Sequence, residues 1–203
     1  MTYCAGPGWQ SSRFLPVTDR VTADSRLCVD ERGDERVLAD LLQAGLRAVI
    51  VGTAVGEKSA ARGHYYAGPG NEMWRFLHDE AGLTSVRLSP ERDHELPRHG
   101  IGLTDLVKDL AQSHDRGLIY DVPAFASKIE RFLPDWVGFN GKEAAKAFTS
   151  QRRVDLGQQT WSVVGRPAFV LPSTSGANRS APYDGRATRL EWWSEFGELV
   201  RAG

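Results

Sequence analysis

The chain has 203 residues, a formal net charge of −1 at pH 7 and only two cysteines. The length suits one domain with a full hydrophobic core, and the near-zero charge means that any anionic partner has to be held by a local basic patch. Because the cysteines form no paired motif, and because neither a secretory signal nor a membrane-length apolar run is present, we expect a cytoplasmic protein without a disulfide framework, metal, cofactor or membrane partner.

The first third of the chain divides into an extension, a helix and a strand. Residues 1–30 contain several glycines and prolines and no sustained hydrophobic period, so we interpret them as an irregular N-terminal extension and residues 31–203 as a single domain. Apolar residues at helical spacing predict a helix at 35–44. The near-continuous apolar run at 46–51 is typical of a strand buried on both faces of a parallel sheet, and Gly52 is predicted to end it.

The rest of the chain continues to alternate helices with strands. Hydrophobic period predicts helices at 72–81, 122–133, 143–148 and 191–200, a buried strand at 136–139, and two short strands within 161–171. This alternation indicates an α/β fold. In such sheets ligands bind beyond the carboxyl ends of the strands, so the loop at 52–70 is where chemistry is expected.

The turn at 140–142 has the features of a phosphate site. Asn140 and Gly141 follow the predicted strand at 136–139, and Lys142 opens the next helix. Free N–H groups, the helix dipole and an ammonium would all face one anion there. The alternative is that Lys142 is an ordinary surface lysine.

Four stretches of the sequence resemble one enzyme family. They are GTAVG at 52–56, GHYYAGPGNEMW at 63–74, GIGLTDLV at 100–107 and LPSTSGANRS at 171–180. Together they resemble the mismatch-specific branch of the uracil-DNA glycosylase superfamily. The resemblance implies a three-layer sandwich with a central, mostly parallel sheet flanked by helices. It also implies a monomeric, cytoplasmic enzyme of bacterial type that acts on DNA.

The implied activity is base excision from DNA. Such an enzyme flips uracil, and in some relatives thymine or another damaged pyrimidine, out of a mismatch with guanine, and hydrolyses the N-glycosidic bond to leave an abasic site. Single strands and other contexts stay open as substrates. Carried over by position, the resemblance gives a base pocket of Thr53, Gly56, Tyr66, Asn71 and Asp105, with the Tyr66 ring stacked on the base.

The resemblance also implies how the duplex is held. Asn140 and Lys142 would grip a DNA phosphate, and Ser173 and Ser175 would hold the phosphate of the target nucleotide. The wedge that fills the gap in the duplex would be formed by Gly176, Ala177, Asn178 and Arg179. Arg179 could instead contact a backbone phosphate.

One position departs from the family pattern. Relatives carry GxNPG, in which the asparagine orients the attacking water, whereas this chain has Ala54 there. Bond cleavage passes through an oxocarbenium-like sugar, which a carboxylate can stabilise while it activates water. The candidates are Glu57, Glu91, Asp93 and Asp105. We favour Asp93 as the catalytic base, because charged neighbours would keep it ionised; a surface turn is the alternative.

Two other functions stay open. The second is a catalytically silent module that uses the same pocket and wedge only to bind damaged DNA. Ala54 favours this function, because alanine cannot orient or activate water. An unrelated nucleotide-binding enzyme is the third reading, but the chain contains neither GxGxxG nor GxxxxGK[ST].

Overall fold

The computed structural model of the chain describes residues 28–29, 35–178 and 181–203. Two short strands, β1 (Cys28–Val29) and β2 (Glu35–Arg36), form a separate antiparallel pair. The central sheet contains β3 (Ala48–Val55), β4 (Ile101–Ala111), β5 (Trp136–Asn140), β6 (Gly157–Val163) and β7 (Arg166–Leu171). Its strand order is β4-β3-β5-β7-β6, and every neighbouring pair is parallel except the hairpin of β6 and β7.

The helices alternate with these strands. They are α1 (Glu57–Arg62), α2 (Met73–Arg75) with a wider helical turn at Phe76–Glu80, a 3-10 stretch at Pro90–His99, α3 (Val122–Phe132), α4 (Lys142–Thr149) and α5 (Leu190–Ala202). No helix in the described part of the chain is long and apolar enough to cross a membrane.

Side chains of β5 show that helices cover both faces of the sheet. A Cβ on Gly138 would come within 2.9 Å of the Phe196 ring, so that face packs closely on α5. The next residue, Phe139, points the opposite way and contacts Phe148 of α4 and Phe125 of α3, with ring centroids 5.6 and 6.1 Å apart. The α/β sandwich with a mostly parallel central sheet is therefore confirmed.

The buried strand β3 extends further than its apolar run. Residues 48–51 have no solvent exposure, as expected for a strand covered on both faces. The strand does not end at Gly52, however: Gly52 pairs with Asp105, and Ala54 pairs with Val107. Glycine fits here because the space beside it is taken, since an added Cβ would lie 2.4 Å from Asp105 Oδ1. Pairing with β4 thus extends β3 beyond Gly52, the residue predicted to end it.

The helix predicted at 35–44 is wrong. This segment lies extended along the outer edge of β4, where the Val37 N–H donates to the Lys108 carbonyl at 2.8 Å and Leu41 exchanges two backbone hydrogen bonds with Leu103 at 3.0 and 3.1 Å. Edge strands present unpaired N–H and C=O groups. Pairing with that edge satisfies the backbone while still burying Val37 and Leu38, so it replaces the helix.

The other predicted helices and strands agree with the structure to within a few residues, whereas α1 and β4 have no counterpart among the predicted elements. A further difference is the stretch at 88–97, which contains Asp93 and for which a surface turn was the alternative. That stretch forms much of the 3-10 helix Pro90–His99 rather than a solvated turn. Of the predicted extension at 1–30, only the two-residue strand β1 lies within the described residues.

Candidate active site at the carboxyl edge of the sheet

A cavity of about 340 Å³ lies where β3, β4, β5 and β7 end. Nine of the predicted site residues line it: Thr53, Gly56, Tyr66, Asn71, Asp105, Asn140, Ser173, Ser175 and Gly176. Ala54, the position of the missing asparagine, lines it as well. The motifs at 52–56, 63–74, 100–107 and 171–180 thus contribute to one concave site at the edge where open α/β sheets bind ligands.

Asp105 is a buried carboxylate in the wall of this cavity. It is only 3% exposed, and its Oδ2 atom has no hydrogen-bond partner among the described residues. Burial raises the pKa of Asp105 from 3.8 to about 6, with the Lys108 charge opposing that rise. A carboxyl group with that pKa, placed in a cleft, has the properties of a general base at neutral pH.

The strand register places Asp105 close to the position of the missing asparagine. Asp105 pairs with Gly52, and its Oδ1 atom occupies the space that a Gly52 side chain would fill. Residues two apart on a strand share a face, so Gly52 and Ala54 point the same way and lie about 7 Å apart. The Asp105 carboxylate therefore faces the same side of the sheet as Ala54, one strand away.

Tyr66 forms a second unpaired polar group beside the first. Its hydroxyl oxygen is buried without a partner among the described residues and would lie 3.2 Å from a Cβ on Gly52. Burial and the Asp105 charge raise the pKa of Tyr66, against a smaller opposing effect of Asn140. Tyr66 also has φ +50°, a left-handed conformation that residues other than glycine adopt rarely and mostly at functional sites. The hydroxyl stays protonated and can donate to a ligand.

Asn140, the last residue of β5, also lines the cavity, and its amide is fixed in one orientation. Its Oδ1 atom accepts from the Thr174 N–H at 3.0 Å, and its Nδ2 donates to Thr174 Oγ1 at 3.2 Å. Thr174 has no solvent exposure. The structure thus places Asn140 inside the cavity and joined to the loop that carries the motif at 171–180, called the second loop from here on. The sequence grouped Asn140 with Lys142 as a phosphate ligand.

The structure does not bring Asp93 into the cavity. Its carboxylate is buried elsewhere, with Oδ2 accepting from the Tyr65 N–H at 2.9 Å and Oδ1 lying 3.3 Å from His64 Nδ1. These contacts fasten the 3-10 stretch to the loop that carries Tyr66. The geometry points to a supporting role for Asp93, because both of its carboxylate oxygens are engaged with the loop and Asp93 is not among the residues that line the cavity.

Lys142 is paired rather than open to an anion. Lys142 is the first residue of α4, and its ammonium lies 2.6 Å from Asp184 Oδ2. Although burial acts to raise the pKa of Asp184, hydrogen bonds from Lys142 and from the Leu156 N–H outweigh it and lower that pKa. A phosphate at this helix end would have to compete with Asp184, so the predicted phosphate contact of Lys142 requires this ion pair to open.

The wedge predicted at the second loop lies only partly within the described residues. Ala177 is exposed, and Asn178 is half-buried with its Nδ2 donating to the Ser173 carbonyl at 3.1 Å. Neither lines the cavity. Arg179 lies outside the described residues.

Sequence reasoning missed the segment that closes the cavity on the side of β4. Gln112, Ser113 and Asp115 line the site, as does Lys58 of α1. Ser113 Oγ donates to the Glu57 carboxylate at 3.2 Å, which holds this segment against α1. The approach of two segments 56 residues apart in the chain had no local signal in the sequence.

A buried charge network supports the loop that carries Tyr65 and Tyr66. Asp40 lies 2.9 Å from the Lys108 ammonium and 2.7 Å from that of Lys128, and Thr104 Oγ1 donates to it at 2.7 Å. Lys108 also donates to the Tyr65 hydroxyl at 2.6 Å. Burial acts to raise the pKa of Asp40, but the two lysines lower it overall. The network fixes Tyr65, and so anchors the loop that positions Tyr66.

Two further features are distinct from this site. A broad depression of about 520 Å³ at the opposite edge of the sheet is lined by residues such as Arg47, Thr84 and His99, and by none of the predicted site residues. In the described part of the chain, no three His, Cys, Asp or Glu side chains converge as metal ligands would.

Comparison with known families and structures agrees with the fold. The sequence model of the uracil DNA glycosylase superfamily matches residues 39–197, which is most of the chain. The chain therefore belongs to this superfamily. Among solved structures, it is similar to the solution NMR structure of a candidate uracil DNA glycosylase from Methanosarcina acetivorans. The TM-score is 0.56 at 23% identity, over 81% of this chain and 96% of that one, which establishes the shared fold.

Proposed function

We propose that this protein is a monofunctional DNA glycosylase that removes uracil from mismatches with guanine, with Asp105 as its catalytic carboxylate. Membership of the superfamily supports DNA glycosylase activity and DNA as the partner. The observation that carries the proposal for this chain is the buried Asp105 carboxylate, which lines the cavity on the same side of the sheet as Ala54. Asp105 replaces Asp93 in the role that the sequence assigned.

The proposed reaction needs one carboxylate and one water. As the bond between the sugar C1′ and the base nitrogen lengthens, the bonding electrons pass to the base and positive charge develops on the sugar. The ionised Asp105 stabilises that charge and accepts a proton from water, whose oxygen bonds to C1′. That proton is then passed to the departing uracil anion. The products are free uracil and an abasic site.

The cavity also has groups that could bind the base. The protonated Tyr66 hydroxyl and the fixed Asn140 amide line the cavity, and Thr53 and Gly56 line the same space. A planar, polar base could satisfy the unpaired hydroxyl on entering, which favours binding because unpaired buried polar atoms are costly. Access to thymine, other damaged pyrimidines and single strands forms part of the proposal to be tested.

A single-turnover assay tests the assignment. Uracil release would be measured from G·U duplex, A·U duplex and single strands for the wild type and for Asp105→Asn, with Asp93→Asn and Glu57→Gln as matched controls that remove a carboxylate outside the cavity. We expect Asp105→Asn to lower the rate constant by about 10²-fold to 10⁴-fold and both controls to change it little. A large loss only in Asp93→Asn would refute the assignment.

The second candidate function is a module that binds damaged DNA without cleaving it. Ala54 favours it, because alanine cannot orient water at the position where relatives carry asparagine. The two functions differ in one outcome: wild-type protein that binds G·U duplex but releases no uracil from any substrate would support the module.

A further inference from the structure

An arginine outside all four sequence motifs is hydrogen-bonded to the backbone of the second loop. Arg189, which precedes α5, donates through Nη1 to the Ser173 carbonyl at 2.9 Å and to the Ser175 carbonyl at 3.0 Å. Its side chain is only 14% exposed. One guanidinium therefore fixes the backbone of both serines that line the mouth of the cavity.

The same guanidinium is joined to the segment that carries the motif at 63–74. Arg189 Nη2 donates to Glu72 Oε2, and Glu72 directly follows the cavity residue Asn71. The other Glu72 oxygen accepts from Arg75 at 2.7 Å, so the carboxylate itself is fixed. The Glu72 N–H donates to the Thr174 carbonyl at 3.0 Å. Glu72 thus connects Arg189 to the segment that forms the base pocket.

The two loops also fit together too closely for independent movement. A Cβ on Gly176 would lie 2.6 Å from the Gly70 carbonyl oxygen, so the loops touch through backbone alone. Ser173 Oγ accepts from the Ser175 N–H at 3.2 Å, and Ser175 Oγ accepts from the Ala177 N–H at 3.3 Å. The serine hydroxyls depend on the loop backbone that Arg189 holds.

We propose that Arg189, oriented by Glu72, is a positioning residue that presets the second loop against the base cavity for the flipped nucleotide of a duplex. This inference rests on the proposed function. Arginine suits the task because its planar fork can bond two carbonyls and a carboxylate at once, whereas a lysine ammonium has no such fixed geometry. A loop that is already ordered in the free protein loses little conformational entropy when DNA binds. Base flipping therefore does not carry the free-energy cost of ordering the loop.

The proposal predicts a loss that depends on the substrate. A duplex needs the loop to extract the base and fill the gap, whereas a base in a single strand is already accessible. Arg189→Gln should therefore lower the single-turnover rate constant on G·U duplex by about 100-fold, the scale of a misplaced positioning group, and change the single-strand rate constant much less. Arg189→Lys should restore part of the duplex rate.

Arg186→Gln is the matched control. Arg186 lies three residues earlier, pairs with Glu195 and stacks on Trp192 with its Cζ atom 3.7 Å from the ring centroid. It has no hydrogen bond to the described part of the second loop, residues 171–178. Both variants lose one partly buried ion pair beside α5, so a merely structural role would lower the melting temperature and both rate constants alike. Glu72→Gln added to Arg189→Gln should cause little further loss, because the two residues act as one unit.

The outcomes separate this inference from the proposed function. Equal losses on duplex and single strand, or no loss on duplex, would overturn the positioning role while leaving the glycosylase intact. If the wild type releases no base from any substrate, the proposed function fails, and binding to a duplex that contains a tetrahydrofuran abasic site becomes the readout. Weaker binding by Arg189→Gln than by Arg186→Gln would then support the positioning role, and equal binding or no binding would overturn it.

Discussion

Replacing Asp105 by asparagine should make the protein more stable at neutral pH while it removes activity. The folded-state pKa of Asp105 is about 6, against an ordinary value of 3.8, and burial is the main cause. A rise of about two pKa units corresponds to about 3 kcal/mol of differential interaction. Asparagine has nearly the same shape and carries no charge, so it avoids the cost of keeping an ionised carboxylate in the cavity wall.

The sign of the effect gives a distinctive pH dependence. Because the folded state binds the Asp105 proton more tightly than the unfolded state does, this group stabilises the fold at low pH. That contribution is lost as the pH rises from about 4 to about 6. Wild type and Asp105→Asn should therefore have similar free energies of unfolding near pH 3.5, and the variant should be more stable by up to about 3 kcal/mol above pH 7.

Urea unfolding at a series of pH values measures this difference directly. Other carboxylates also titrate in the window, but they are common to both proteins, so they cancel when the two curves are subtracted. If the free energies of unfolding of the two proteins run parallel from about pH 3.5 to pH 8, Asp105 has an ordinary pKa in the folded state and the reasoning is refuted.

Four further predictions concern the site and its supports. The wild-type single-turnover rate should rise with pH through about 6 and then level off, because only the ionised Asp105 accepts a proton; a flat profile would contradict this. Ala54→Asn in the Asp105→Asn background should restore measurable uracil release, since the new amide can orient water from the neighbouring strand, and a double variant as inactive as the single one would argue against it. Asp184→Asn should free Lys142 and steepen the salt dependence of DNA affinity by about 0.9 in the log–log slope, as one added phosphate contact would; an unchanged slope would mean that Lys142 does not reach DNA. Asp40→Asn should destabilise the fold by about 3 to 5 kcal/mol in urea unfolding, because Lys108 and Lys128 lose the carboxylate that balances their charges, and a loss below about 1 kcal/mol would show that water reaches them.

The local sequence pattern was sufficient to predict the elements whose hydrophobic residues repeat at the spacing of a buried strand or an amphipathic helix. The apolar run before Gly52 predicted a strand covered on both faces, and the spacing of Phe125, Ile129 and Phe132 predicted α3 (Val122–Phe132). These signals are local because a strand or an amphipathic helix shows its buried face within a few residues. The loop motifs likewise pointed to the edge of the sheet where the cavity lies.

The choice of carboxylate needed the tertiary structure. Asp93 and Asp105 are both acidic residues near a motif, and nothing in their neighbours along the chain decides between them. Pairing of β3 with β4 brings Asp105 beside Gly52, whereas contact with the Tyr65 N–H holds Asp93 away from the cavity. Which carboxylate lines the cavity depends on partners that are distant in sequence, so the neighbours along the chain could not predict it.

The sequence by itself determined the α/β class, most of the helices and strands, and the loops that meet at the cavity, because hydrophobic period and turn chemistry are written in neighbouring residues. Only the tertiary structure decided that residues 37–41 pair with the edge of β4, that Lys142 is held by Asp184, and that Arg189 binds the second loop. Each of these depends on a hydrogen bond or ion pair between groups far apart in the chain, and such a pairing leaves no periodic trace in the sequence.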